Sequence, residues 1–141
     1  MDKTKYVEPG FEAFVRAFDW AHGVGQEMAR GGRVDPVIYL LNTRPDAVST
    51  CGSIKITAPT NGLKAHEQAL EIAADLEGVD IAVYLRRDLD AIGHPVLTIH
   101  LMSSDRELST INGIDALTRT VYRGFIGPEL LQQREIVRTC H

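Results

Sequence analysis

The chain has 141 residues, of which 44% are hydrophobic and 24% charged. That is the size and balance of one globular domain, long enough to bury about two thirds of its unfolded surface without help from a metal or a disulfide. A net charge of −4 argues against a nucleic-acid binder held by phosphate contacts, and two cysteines, Cys51 and Cys140, are too few for a secreted disulfide scaffold.

The opening segment, MDKTKYVEPG, is polar and ends in Pro9-Gly10. It predicts an arm over 1–10, followed by one α+β domain over 11–141. The arm lacks the apolar run of a signal peptide, and no stretch approaches the roughly 18 apolar residues of a membrane span. A cytoplasmic protein without membrane contact is expected, in its own cell or in one infected by a virus.

Phe11, Phe14, Val15, Phe18 and Ala21 recur at helical spacing, and Met28 extends the stripe. A helix from Phe11 to Arg30 follows, stopped by Gly31-Gly32. Gly23 and Gly25 lie inside it, each costing about 1 kcal/mol against alanine. They point to a kink or a close approach by another part of the chain.

Pro36–Asn42 (PVIYLLN) is a continuous apolar run, as in a strand buried on both faces. Ser53–Thr57 (SIKIT) alternates like a strand with one wet face. Leu63–Leu76 carries a second helical stripe of Ala65, Ala69, Ile72, Ala73 and Leu76. Asp80–Arg86 and Val96–Met102 read as an antiparallel hairpin, with Ile81, Val83 and Leu85 on one face of the first strand. Leu97, Ile99 and Leu101 share one face of the second.

Ser104–Asp115 is polar and glycine-containing, and predicts no strand. Leu117–Arg123 (LTRTVYR) alternates and is β-branched, which predicts the fifth strand. Pro128 and Glu129 suit the first turn of a helix over Glu129–Val137. The expected order is α-β-β-α-β-β-β-α: a two-layer domain with helices on a mainly antiparallel sheet of about five strands.

Catalytic and cofactor signatures are missing. No phosphate loop, nucleophile elbow or zinc spacing occurs, so no cofactor and no metal are expected. Ala65-His66-Glu67 lacks both the spacing and the cysteine pair of a zinc deaminase. Cys51 sits before a strand, without the helix N-terminus that would activate a thiol.

The charged segment Arg86-Arg87-Asp88-Leu89-Asp90 falls at a strand end, a common place for ligand contacts. If the later strands lie side by side, Arg86, Arg119, Arg123, Tyr84, Tyr122 and His100 share one sheet face. Such a face would suit an anionic ligand or an acidic partner, because guanidinium groups bind phosphate and carboxylate in bidentate fashion. Tyr39, Tyr84, Val96, Met102 and Tyr122 are apolar for wet positions, which suggests that a second subunit covers them or, alternatively, that a helix packs on each side of the sheet.

The order of elements is similar to that of small phage tail-completion proteins, in which a sheet and two helices assemble into rings. That resemblance implies homo-oligomeric assembly. A non-enzymatic binding or assembly protein is therefore the first expectation. The alternatives are a nucleotide-like anion sponge, and a small enzyme acting on an anionic substrate with His100 or His94 as its acid-base group.

Overall fold

A computed structural model describes residues 10–56 and 78–133. Phe11–Arg30 forms a helix, α1, over the span its apolar period predicts. Its buried side is Ala13, Phe14, Ala17, Phe18, Ala21, Gly25 and Ala29. The contact stripe thus centres on small residues, while Val15 and Met28 are half-buried. Small residues let the helix backbone approach the sheet. At Gly25 the approach is closest, since a Cβ there would overlap the Leu97 side chain.

The strands are β1 (Val37–Thr43), β2 (Val48–Lys55), β3 (Ile81–Leu89), β4 (Pro95–Met102), β5 (Arg106–Gly113) and β6 (Gln132–Gln133). They form one sheet in the order β2-β1-β3-β4-β5-β6. Every neighbouring pair is antiparallel. The fold is α+β, with a helix packed on an antiparallel sheet. No described helix is long and apolar enough to cross a membrane.

Period-2 alternation decides which side chains meet α1. Val37, Leu41, Ile81, Val83, Leu85, Leu97, Ile99, Leu101 and Leu108 join the helix in the main core. Ile38, Leu40, Ala82 and Tyr84 make a second buried cluster, joined by Ile54, Ile56 and Val79. β1 is therefore buried on both faces, as its unbroken apolar run predicts. Tyr39 is not on the face opposite the helix. It packs edge-on against Trp20 of α1, with ring centroids 5.0 Å apart.

The last third differs from expectation. The polar segment is the fifth strand, because Leu108, Thr110 and Asn112 turn inward in alternation. Asn112 is tolerated there by its bonds: its Nδ2 donates to the Leu97 carbonyl and to Thr110 Oγ1, each at 3.1 Å. Leu117–Arg123 is not a strand; one isolated bridge, Ile114 with Val121, is its only ladder contact. The segment instead docks along α1. Pro128–Leu130 is a single 3₁₀ turn rather than the start of a helix, and Gln132–Gln133 pair with β5. The predicted second helix, the N-terminal arm up to Pro9, and the end of the predicted last helix lie outside the described residues.

The docking of 119–123 explains the misreading. Asp19, His22, Gln26 and Arg30 follow each other at helical spacing along one stripe of α1. Asp19 pairs with Arg123. His22 Nε2 donates to the Val121 carbonyl at 2.9 Å. Gln26 donates to the Arg119 carbonyl at 2.9 Å and accepts from the Val121 amide at 2.8 Å. Arg119 Nη1 donates to the Arg30 carbonyl at 3.1 Å. An extended backbone with alternating side chains is present, but it bonds mainly to α1 and meets the sheet end only through the Ile114–Val121 bridge and the Tyr122 amide to Gly113.

Candidate functional site

Three surfaces merit chemical description: a polar row on the sheet, a cationic cavity and an apolar corner.

The polar row lies on the sheet face opposite α1. Register sets Tyr84 beside His100 and Arg86 beside Thr98. The Arg86 guanidinium lies over the Tyr84 ring, 5.4 Å from its centroid. Its Nε donates to Asp88 Oδ2 at 2.8 Å, and Thr98 Oγ1 donates to the same oxygen at 2.6 Å. Burial opposes ionisation of Asp88, but the bonds from Thr98 and Arg86 outweigh it and lower its pKa. The bond to Asp88 likewise raises the pKa of Arg86. Arg86 is thus held by an internal carboxylate in a row that satisfies itself.

His100 Nε2 lies 3.4 Å from Glu107 Oε2, with both side chains about three-tenths exposed. His94 sits in the hairpin loop, 70% exposed, 3.8 Å from Asp90. Six residues of extended chain separate the two histidines, roughly 20 Å. They cannot act on one substrate atom together.

The six expected ligand residues do not share a face. Tyr84, Arg86 and His100 do. Arg123 crosses to the helix side, pairing with Asp19 and stacking 4.8 Å from the Phe18 ring centroid. Arg119 caps the C-terminal end of α1. Tyr122 is exposed at the other end of the docked segment, its hydroxyl donating to Asp115 Oδ2 at 3.4 Å. The reason is the one given above: residues 119–123 follow the helix, so their parity refers to α1 and not to the sheet.

The cavity holds about 180 Å³. Ala29, Gly32, Arg33 and Val34 from the end of α1 form one wall, with Arg87 of β3, Pro95 of β4 and Ile114, Asp115, Ala116 and Arg119 around the rest. Arg87 follows Leu85 on the α1 face of β3, at the point where the strand outruns the helix. It has no hydrogen-bond or ion-pair partner among the described residues. Arg33 pairs with Asp35 at 2.7 Å in an exposed contact. The backbone of Arg119 takes a left-handed conformation, with φ of 60°.

Asp115 is the cavity's one acid, and it is occupied. The amides of Leu117 and Thr118 donate to its Oδ1 at 2.9 Å each. The amides of Thr118 and Leu117 pull its pKa below the ordinary carboxylate value. Sequence reasoning found Arg119 and placed Arg87 in a charged strand-end segment, but did not group the two, and it did not find Arg33. The signal for Arg87 was its parity with Ile81, Val83 and Leu85.

A second depression, of about 520 Å³, lies beside the β1–β2 turn, lined by Asn42, Arg44, Asp46, Ala47, Ser49, Cys51 and Gly78. Its thiol is exposed and unpaired, and no histidine is among these residues. No group of three or more metal-ligating side chains occurs among the described residues.

The apolar corner is built from β3, β4 and the chain after Ile111. Leu89, Ile92, Ile111, Leu117, Tyr122 and Phe125 are exposed, Leu117 to 94%. Leu89 and Ile92 sit at the β3–β4 turn. The Ile114 amide donates to the Pro95 carbonyl at 3.1 Å, and the Tyr122 amide to the Gly113 carbonyl at 2.8 Å. These bonds gather the turn, the end of β5 and the docked segment at one end of the sheet.

No family model, curated protein or solved structure matches the chain. The likeness in element order to phage tail-completion proteins therefore has no structural neighbour behind it.

Proposed function

We propose that this is a non-catalytic assembly protein that associates with copies of itself through the corner bearing Leu89, Ile92, Ile111, Leu117, Tyr122 and Phe125. The carrying observation is that six large apolar side chains are exposed among the described residues, on segments that backbone bonds tie together toward the β3–β4 turn end of the sheet. Single exposed apolar residues are ordinary, whereas a gathered set marks an interaction surface. A second copy is the favoured occupant because a two-fold contact covers the same apolar set on both partners at once.

The polar row supports a binding reading over an enzymatic one. Arg86 and Asp88 neutralise each other, and neither His94 nor His100 lines either cavity described above. Sedimentation velocity across micromolar concentrations tests the proposal. Concentration-dependent oligomers are expected, reverting to monomer in Ile92→Lys/Leu117→Lys. A strict monomer throughout would overturn it.

A further inference from the structure

We infer that the cavity between the end of α1 and the 114–119 turn binds a tetrahedral oxyanion: phosphate, either free or as the terminal phosphoryl group of a larger molecule. This inference does not rest on the assembly reading. Three arginines, Arg33, Arg87 and Arg119, line the cavity with one acid, Asp115. The surplus is local, since the whole chain carries −4. Asp115 is turned to other work, its oxygens bound by two turn amides and a tyrosine hydroxyl.

The arginines arrive prepared to different degrees. Arg119 is held by one bond from Nη1 to the Arg30 carbonyl, with its guanidinium beside Gly32. Its left-handed backbone is a conformation that non-glycine residues keep only where surrounding bonds enforce it, and such residues concentrate at binding sites. Here the bonds are from its own amide to the Asp115 carbonyl at 2.8 Å, and from Gln26 to its carbonyl. Arg87 makes no hydrogen bond or ion pair with any described residue. Arg33 is shared with Asp35 in an exposed pair, which holds weakly.

Size narrows the class. Sites that enclose drug-sized ligands occupy about 300–1,000 Å³, and this cavity holds about 180 Å³. It fits one phosphoryl group with water, and not a whole nucleotide. Guanidinium forks match the oxygens of such a group in pairs, which a chloride ion cannot exploit.

The experiment is a ¹H–¹⁵N NMR titration of the full chain with inorganic phosphate, with a simple phosphomonoester, and with chloride at matched ionic strength. Saturable shifts at Gly32, Arg87, Ala116 and Arg119 are expected with phosphate. In Arg87→Gln the affinity should fall by about tenfold or more, because one set of charge-assisted bonds is lost. Arg123→Gln, which removes an arginine outside the cavity, should leave affinity unchanged. Arg87 is exposed and bonds to no described residue, so its substitution is expected to spare the fold. Comparable binding of the ester assigns the site to a terminal phosphoryl group, and binding of phosphate alone assigns it to the free ion. Three results would overturn the inference: no saturable shift with either phosphate, an equal response to chloride, or affinity unchanged in Arg87→Gln.

Discussion

The two edges of the sheet solve the same problem in opposite ways. β2 is the outer strand at one edge, and its side chains there are polar: Ser49, Thr50, Cys51 and Ser53 are exposed. Its pairing with β1 shifts between Leu40 and Leu41, where Gly52 and Thr50 are the partners. Cys51 is thus the extra residue of a bulge. A bulge kinks an edge strand and spoils it as a template for another strand. At the other edge β5 is covered by the chain itself. β6 pairs with Arg106 and Glu107, and the segment from Val121 to Gly124 runs beside Gly113, Asn112 and Ile111. That covering brings Tyr122 and Phe125 to the surface.

One edge is therefore blunted by backbone geometry and left polar, and the other is closed by backbone and left apolar. Strand addition is discouraged at both, and Tyr122 and Phe125 of the proposed interface lie at the second.

The largest effect expected from breaking the contrast is at Asn112. Its Oδ1 accepts from the Gly124 amide at 2.6 Å, and its Nδ2 makes two further bonds in a buried site. Asn112→Leu should cost about 2–4 kcal/mol, because buried partners are stranded, and should speed amide exchange at Gly124. Urea denaturation measures the first and hydrogen exchange the second. Next, one substitution can be compared at both edges. A Cβ at Gly124 would overlap the Ile111 carbonyl and crowd Asn112, whereas at Gly52 its nearest contact is Leu40 Cδ1 at 3.9 Å. Gly124→Ala should destabilise by about 1–3 kcal/mol, and Gly52→Ala should stay within about 0.5 kcal/mol. Equal midpoints for the two variants would remove the asymmetry. Leu117→Lys alone should leave stability within about 0.5 kcal/mol, since Leu117 is 94% exposed, yet shift the sedimentation profile toward monomer.

The smallest effect is a dependence on acid. The Asp115 carboxyl is lowered by the turn amides of Thr118 and Leu117. A lowered folded-state pKa contributes stability that is fully present above the ordinary aspartate value and lost as pH falls through the folded one. The 115–120 turn should therefore loosen only below about pH 4. The Leu117 and Thr118 amide shifts should follow the carboxyl, and Asp115→Ala should abolish that titration.

How much of this was legible depended on where burial came from. α1, β1, β3 and β4 bury apolar side chains at their own period, so Phe14, Leu41, Val83 and Ile99 announced them. β2 was read only from Ser53 because its earlier residues are the polar edge. β5 was missed since two of its three inward residues are Thr110 and Asn112, whose burial rests on hydrogen bonds that a hydrophobic pattern does not show. Leu117–Arg123 misled for the converse reason: Val121 is buried and its neighbours alternate, but against a helix. Tyr84, Arg86 and His100 were placed together correctly by parity along paired strands. Arg119 and Arg123 were not, and the grouping of Arg33 with Arg87 needed the distant end of α1.

The stripe of Asp19, His22, Gln26 and Arg30 has a consequence for how the protein is made. Its partners lie about a hundred positions later, Arg123 being 104 positions after Asp19. A ribosome delivers α1 first and the segment it clasps nearly last, at about 5–20 residues per second. Through that interval of several seconds, Phe14 and Phe18 lack the strands that bury them, and the polar stripe lacks its mate. The last step of closing the native structure thus waits on contacts of long sequence separation, which form more slowly than the local hairpins.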